Sequence, residues 1–162
     1  MGADGRKGGK TMFKLPHLLV ILVTAALVPL TCTAARRAEP GTVIRCLKVC
    51  AVAALFFDPV YWVWEARTTG GIDFSTTLPL YLCSLFWLLL PAALFARRER
   101  VRQTACATVC TMGMLGGVFG LVFNVYVGQY SFFSFVPVRS LMYHVMMILV
   151  TCLLYTSPSP RD

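Results

Sequence analysis

Residues 78–85 read Leu-Pro-Leu-Tyr-Leu-Cys-Ser-Leu, and they open an apolar run that continues to Ala96. One thiol, that of Cys83, lies inside this run. A second polar group appears late in the chain, where residues 139–144 read Arg-Ser-Leu-Met-Tyr-His. When the chain is divided into apolar segments and the links between them, Cys83 and His144 fall on the same side of a membrane.

The composition indicates a membrane protein. Hydrophobic residues make up 57% of the 162 residues and charged residues only 14%, whereas soluble domains are about half apolar and about a quarter charged. The apolar residues fall in blocks of about twenty, the length that a helix needs to cross a bilayer. The net charge of +8 is weak evidence for nucleic-acid binding, because the basic residues cluster in links, where they set topology. The predicted fold is therefore all-α, a polytopic transmembrane helix bundle.

The apolar blocks also define the domain organisation. Residues 1–11 are rich in Gly and Lys and are predicted to be disordered. Residues 152–162 resemble translated read-through of a sequencing adapter, so we expect a non-native tail after the transmembrane domain 12–151 and the loss of one or more C-terminal spans. For residues 152–162 the alternative is a natural polar tail. For the first apolar block the alternative is a signal peptide. Five spans are predicted, at residues 12–31, 46–64, 78–96, 104–127 and 138–151.

The Lys and Arg content of the links predicts the orientation of the protein in the membrane. Basic residues cluster at 36–37 and 97–102, whereas the links near Asp73 and Phe132 are poor in Lys and Arg. The positive-inside rule places the basic links in the cytoplasm, although the basic residues before the first span favour the opposite orientation. We expect a multi-pass integral membrane protein, in an endomembrane such as the endoplasmic reticulum if the source is eukaryotic. Neither the organelle nor the oligomeric state follows from the sequence.

Alternating spans bring several polar side chains to the membrane face that holds the Asp73 and Phe132 links. Ionisable groups inside spans are costly and usually face a bundle interior or a cavity. A thiol in apolar surroundings is unreactive, but an adjacent imidazole can take its proton and yield a nucleophilic thiolate. A carboxylate or amide on the other ring nitrogen would orient the imidazole. Cys83 and His144 are the predicted pair, and Asn124, Asp58 and Glu65 are candidates for the orienting group.

These residues also have purely structural interpretations. Cys83 alone would be a small core residue, and His144 would be a histidine satisfied by helix packing. Arg139 either binds a lipid phosphate through its fork of donors or serves as an interfacial anchor, and Tyr143 is a further supporting candidate. No phosphate-binding loop or metal cluster is recognisable in the sequence, so no cofactor is predicted. Span four contains two overlapping small-xxx-small pairs, Gly113/Gly117 and Gly116/Gly120, which let another helix approach closely.

The two motifs also resemble a known family. Residues 78–83 resemble the Leu-Pro-Leu-x-Leu-Cys signature of the YwaF-like integral membrane proteins, which include the transmembrane protein 164 family, and the spacing to residues 139–144 is similar. The resemblance covers Phe57 to about Val150. It implies a lipid acyltransferase with a thioester at Cys83 and His144 as general base, which moves an acyl chain from a phospholipid donor to a lysolipid acceptor. The alternatives are a lipid- or ligand-binding membrane protein, a small transporter and a structural membrane subunit.

Overall fold

The computed structural model describes residues 15–71, 83 and 85–156. These residues contain no strand, so the predicted all-α fold is confirmed. Three predicted features lie outside the described residues: the disordered segment 1–11, the start of span three at 78–82, and the end of the tail at 157–162. The helices are α1 (Leu15–Arg37), α2 (Pro40–Thr69), α3 (Phe86–Phe95), α4 (Glu99–Val122), α5 (Val125–Gln129) and α6 (Phe135–Thr156).

The helices differ in whether their length and composition allow them to cross a membrane. Within the described ranges, three helical segments are long and apolar enough to cross one: α1, the stretch from α4 through α5, and α6. Helix α2 is longer, with 30 residues, but it carries Arg45, Lys48, Asp58 and Glu65 among its apolar residues. The predicted membrane protein is thereby supported, while the count of five spans stays a prediction.

Helix α6 is the centre of the bundle. In its apolar window 61% of the residues are buried, against 22% for α4–α5 and 11% for α1. It packs against α1, α2, α4 and α5, while α3 packs against α2 and α4. Side chains projecting from α6 therefore meet residues from most of the chain.

Glycines set the close packing of α4 against α6. A Cβ at Gly113 would lie 2.6 Å from Thr151 Oγ1, and a Cβ at Gly117 would lie 2.8 Å from Ile148 Cγ1. Real Cβ atoms do not approach other atoms this closely, so a larger residue would push the helices apart. The close helix approach that the small-xxx-small pairs predict is present here.

Two helix boundaries differ from the bounds of the predicted spans. Glu99–Gln129 is long and apolar enough to be one span, but within it α4 ends at Val122 and the backbone of Asn124 is extended, with φ −69° and ψ 100°. At this interruption the Asn124 amide hydrogen-bonds the Ser140 side chain of α6. After the link that contains Phe132, α6 begins at Phe135, whereas the fifth span was predicted to begin at Val138.

The position of Cys83 also differs from the prediction. Cys83 was predicted to lie inside the helical span 78–96, but in the structure it lies in a turn that precedes α3. Its carbonyl accepts a hydrogen bond from the Phe86 backbone N–H at 3.1 Å. Helix α6 continues to Thr156, and the non-native origin of residues 152–162 stays a prediction.

Candidate functional site

A polar cavity of about 460 Å³ lies between α2, α4, α5 and α6 and the Cys83 turn. Six of the seven residues singled out in the sequence line it. The seventh, Glu65, is buried on α2, but it is not among the described residues that line this cavity. The six are Cys83, His144, Asn124, Asp58, Tyr143 and Arg139.

The tautomer of His144 follows from its hydrogen bond. The ring is 8% exposed, and Nδ1 lies 2.6 Å from the backbone carbonyl of Ser140. A carbonyl oxygen only accepts hydrogen bonds, so Nδ1 donates and carries the ring proton, which leaves the lone pair on Nε2. A Cβ at Gly120 would lie 2.0 Å from Nε2. The basic nitrogen therefore occupies space that α4 leaves open by having glycine at this position.

The group that orients His144 is a backbone carbonyl, whereas a carboxylate or amide side chain was predicted. The spacing of four residues places the Ser140 carbonyl beside the imidazole on the same helix face. Asn124 is linked to His144 through the Ser140 side chain. The Asn124 Nδ2 donates a hydrogen bond to Ser140 Oγ at 2.9 Å, and Ser140 Oγ lies 3.5 Å from His144 Nδ1. Ser140 was not among the predicted site residues, although its spacing of four residues before the histidine was a usable signal.

Tyr143 holds the Cys83 turn against α6. Its hydroxyl donates a hydrogen bond to the Cys83 carbonyl at 3.1 Å. The ring is 7% exposed and packs against Phe57 and Phe86, with centroid distances of 5.3 and 6.2 Å. On the other side, the turn lies against α4, since a Cβ at Gly116 would be in van der Waals contact with the Cys83 Cα at 3.8 Å. Tyr143 thus holds the turn that carries the Cys83 thiol, and the next residue of α6, His144, carries the imidazole.

Arg139 links α6 to α2. Its Nε donates to the Phe57 carbonyl at 3.0 Å, and its Nη2 forms a short ion pair with Asp58 Oδ1. The guanidinium also lies over the Tyr61 ring, 4.6 Å from the centroid. These contacts hold the planar group in one orientation at the cavity wall.

Two apolar depressions adjoin the site. One of about 370 Å³ lies between α2 and α6 and shares Arg139 with the polar cavity. The other, of about 700 Å³, lies between α1, α2 and α6 and is lined almost entirely by apolar side chains. The two depressions share Val138 and Met142, so they are neighbours along α6.

The chemistry available at the polar cavity is that of a thiol and an imidazole. Cys83 and His144 line the same space, and His144 Nε2 is the ring nitrogen that can accept a proton. Within the ranges that the structure describes, no three or more His, Cys, Asp or Glu residues are grouped so that they could hold a metal ion. A thiol together with an imidazole that can take its proton is the pair of groups that nucleophilic catalysis by cysteine requires.

Comparison with protein-family models gives a match to the TMEM164 family over residues 12–160. No curated protein and no solved structure matches the chain. The matched range contains every described helix and all seven candidate residues.

Proposed function

This chain belongs to the TMEM164 family of membrane proteins, and from that premise we propose that it is an intramembrane acyltransferase that moves a fatty acyl chain from a phospholipid to a lysophospholipid. Cys83 is the nucleophile and His144 the general base. The observation that carries the proposal is the polar cavity lined by both residues, in which the ring proton is held on Nδ1 by the Ser140 carbonyl.

The first half-reaction transfers the acyl group to the protein. His144 Nε2 takes the proton of the Cys83 thiol, and the thiolate attacks the ester carbonyl carbon of the donor. A C–S bond forms, the ester C–O bond breaks, and the departing glycerol oxygen takes the proton from the imidazolium. The products are a thioester on Cys83 and a lysophospholipid.

The second half-reaction reverses these roles. His144 takes the proton of a lysophospholipid hydroxyl, and the resulting oxygen nucleophile attacks the thioester carbonyl. A C–O bond forms, the C–S bond breaks, and the thiolate regains the proton from the imidazolium. No electron is gained or lost in either step, so the reaction requires only the two lipids and the two side chains.

The remaining candidate residues support the pair. Tyr143 positions Cys83 through the carbonyl of its turn. Asn124 positions Ser140, whose carbonyl fixes the tautomer of His144. This support matters because small displacements of a nucleophile from its base reduce the rate steeply.

A second candidate function is lipid binding without catalysis. It is favoured by the apolar depression of about 700 Å³ between α1, α2 and α6, which is large enough for part of an acyl chain. This function requires neither the thiol nor the imidazole, so the same variants separate the two candidates.

The direct test is to trap the thioester. The full-length protein in lipid vesicles is incubated with a phospholipid that carries an isotope-labelled acyl chain, and acylation of Cys83 is measured by peptide mass spectrometry with and without hydroxylamine. We expect a hydroxylamine-sensitive adduct on Cys83 and labelled product phospholipid. His144→Ala should slow its formation by about 10²- to 10⁴-fold, the usual contribution of a positioned general base.

Cys106→Ala is the matched control, because Cys106, like Cys83, is half-buried and in no disulfide but does not line the polar cavity among the described residues. Its acyl transfer should equal that of the unmodified protein. Labelled product formed at an undiminished rate by Cys83→Ala would exclude the thioester mechanism and leave lipid binding as the better proposal.

A further inference from the structure

We infer that Arg139 is the phosphate-binding residue of the donor site, and that its guanidinium binds the phosphodiester of the phospholipid whose acyl chain is transferred. This inference rests on the proposed function and deepens it, because it assigns recognition of the headgroup to a residue outside the Cys83–His144 pair.

The Arg139 guanidinium has N–H donors that are not used by the hydrogen bonds described above. Arginine carries five N–H groups, and in the described part of the chain its side-chain hydrogen bonds go to the Phe57 carbonyl and the Asp58 carboxylate. The side chain remains 19% exposed and lines the polar cavity. Its unused donors are therefore accessible to a ligand that can accept more than one hydrogen bond.

The same contacts hold the Arg139 guanidinium in one orientation before a ligand binds. Asp58 holds one edge of the guanidinium, the Phe57 carbonyl holds Nε, and the Tyr61 ring supports the flat face. A fork fixed in this way loses little conformational freedom when it binds a second oxyanion, and arginine matches phosphate geometry through two parallel hydrogen bonds.

The location of Arg139 matches the layout of a phospholipid. On one side it lines the polar cavity that holds Cys83 and His144, and on the other it lines the apolar depression between α2 and α6. A phospholipid has the same division, since its phosphate lies close to both the ester groups and the start of the acyl chains. With the phosphate at Arg139, an ester can enter the cavity while a chain occupies the depression.

The spacing along α6 is consistent with this placement. Arg139 and His144 are separated by five residues, which corresponds to about 7.5 Å along a helix axis at about 1.5 Å per residue. In a glycerophospholipid, the phosphorus and the nearer ester carbonyl are joined by a few covalent bonds of the glycerol linker. One molecule can therefore reach both residues without crossing the bundle.

The alternative role for Arg139 is a clamp that only joins α2 to α6. A competition experiment distinguishes the two roles. Protein carrying Cys83→Ala, which cannot form the thioester, is placed in vesicles that contain equal amounts of phosphatidylcholine and a galactosyl diacylglycerol with the same acyl chains. Native mass spectrometry then gives the ratio of the two bound lipids. The galactolipid retains the glycerol diester and a polar head but lacks the phosphate.

We expect the protein to prefer phosphatidylcholine, and Arg139→Gln to lower the bound-lipid ratio by about tenfold or more, the effect of losing a charge-assisted pair of hydrogen bonds. Arg139→Lys keeps the charge but not the fork, so it should lower the ratio several-fold, and it decides the matter if Arg139→Gln does not fold. Arg102→Gln is the matched control, because Arg102 is also ion-paired, to Glu99, and it should leave the ratio unchanged.

An unchanged ratio in the folded Arg139 variants would overturn the inference and identify the residue as a clamp. The proposed function fails by a different result, the absence of acyl-Cys83 in the thioester experiment. The two failures are therefore distinguishable.

Discussion

At the scale of single residues, the candidate site depends on two consecutive positions of α6. Tyr143 reaches the carbonyl of Cys83, and His144 presents Nε2 beside Gly120. Both side chains are buried, and each makes a hydrogen bond that holds it in the orientation described. The register of α6 therefore sets the position of the thiol-bearing turn and of the base together.

The Tyr143 hydroxyl gives the first residue-scale prediction. Tyr143→Phe keeps the ring packing and removes the hydrogen bond to the Cys83 carbonyl. Losing one such bond costs about 0.5–1.5 kcal/mol, and we expect the free energy of unfolding in detergent to fall by that amount. The rate of acyl-Cys83 formation should fall by about threefold to tenfold, because the turn is less well positioned.

Tyr130→Phe is the control for this variant, since Tyr130 is 37% exposed and is not among the described residues that line the polar cavity. It should change neither the stability nor the rate. Unaltered kinetics in Tyr143→Phe would mean that the turn is held by other contacts and that Tyr143 is a packing residue.

At the scale of elements, the distance between α4 and α6 decides whether the cavity has the shape described. Glycines at four positions of α4 face α6, where a Cβ at each position would lie 3.3 Å or less from a side-chain atom of α6. In a membrane, where lipid competes for apolar surface, such small residues allow the close packing that holds helices together. The four positions are Gly113, Gly116, Gly117 and Gly120.

Gly117→Ala tests this packing. The added methyl group would lie 2.8 Å from Ile148 Cγ1 and 3.2 Å from the His144 backbone oxygen. Since both partners belong to α6, the helices must separate, and we expect a loss of about 1–3 kcal/mol in unfolding free energy, as for other overpacked sites. Denaturant titration in detergent would measure it.

Gly128→Ala provides the comparison, because a Cβ at Gly128 would meet nothing within 4 Å. It should be neutral or slightly stabilising. Equal stabilities for the two variants would show that α4 and α6 are not held at the separation described.

At the scale of the whole molecule, the distribution of charge fits a membrane. The basic cluster 36–37 lies at the C-terminal end of α1, and the basic cluster 97–102 covers the link after α3 and the first turn of α4. The short segment between α5 and α6 contains Phe132 and Phe133 instead. The sequence predicts these two sets of links on opposite faces of the bilayer.

Accessibility to a membrane-impermeant maleimide tests this topology. In a cysteine-free background, Gly41→Cys places a thiol in open space at the start of α2, and Ser131→Cys places one at an exposed position after α5. Three predicted spans separate the two positions, so in sealed vesicles the reagent should modify them from opposite sides. Modification of both from one side would contradict the predicted number of crossings.

The sequence by itself determined the class of the molecule. Apolar blocks long enough to span a bilayer specify helices, because a helix satisfies its own backbone hydrogen bonds where no water is present. The glycine pairs of α4 specify a close helix approach, and they are readable because residues four apart share a helix face. These properties depend on neighbours in the chain, so a pattern within a few turns is sufficient to predict them.

Only the tertiary structure decided how the site is assembled. The orienting bond of His144 is local, to Ser140, but the contacts of Asn124 with Ser140, Tyr143 with Cys83 and Arg139 with Asp58 span 16, 60 and 81 residues. The helix is interrupted at Asn124 within the predicted fourth span, and Cys83 lies in a turn. The partners of such polar groups depend on helix packing and on the rotation of each helix about its axis, and the apolar pattern of a membrane helix leaves this rotation undetermined.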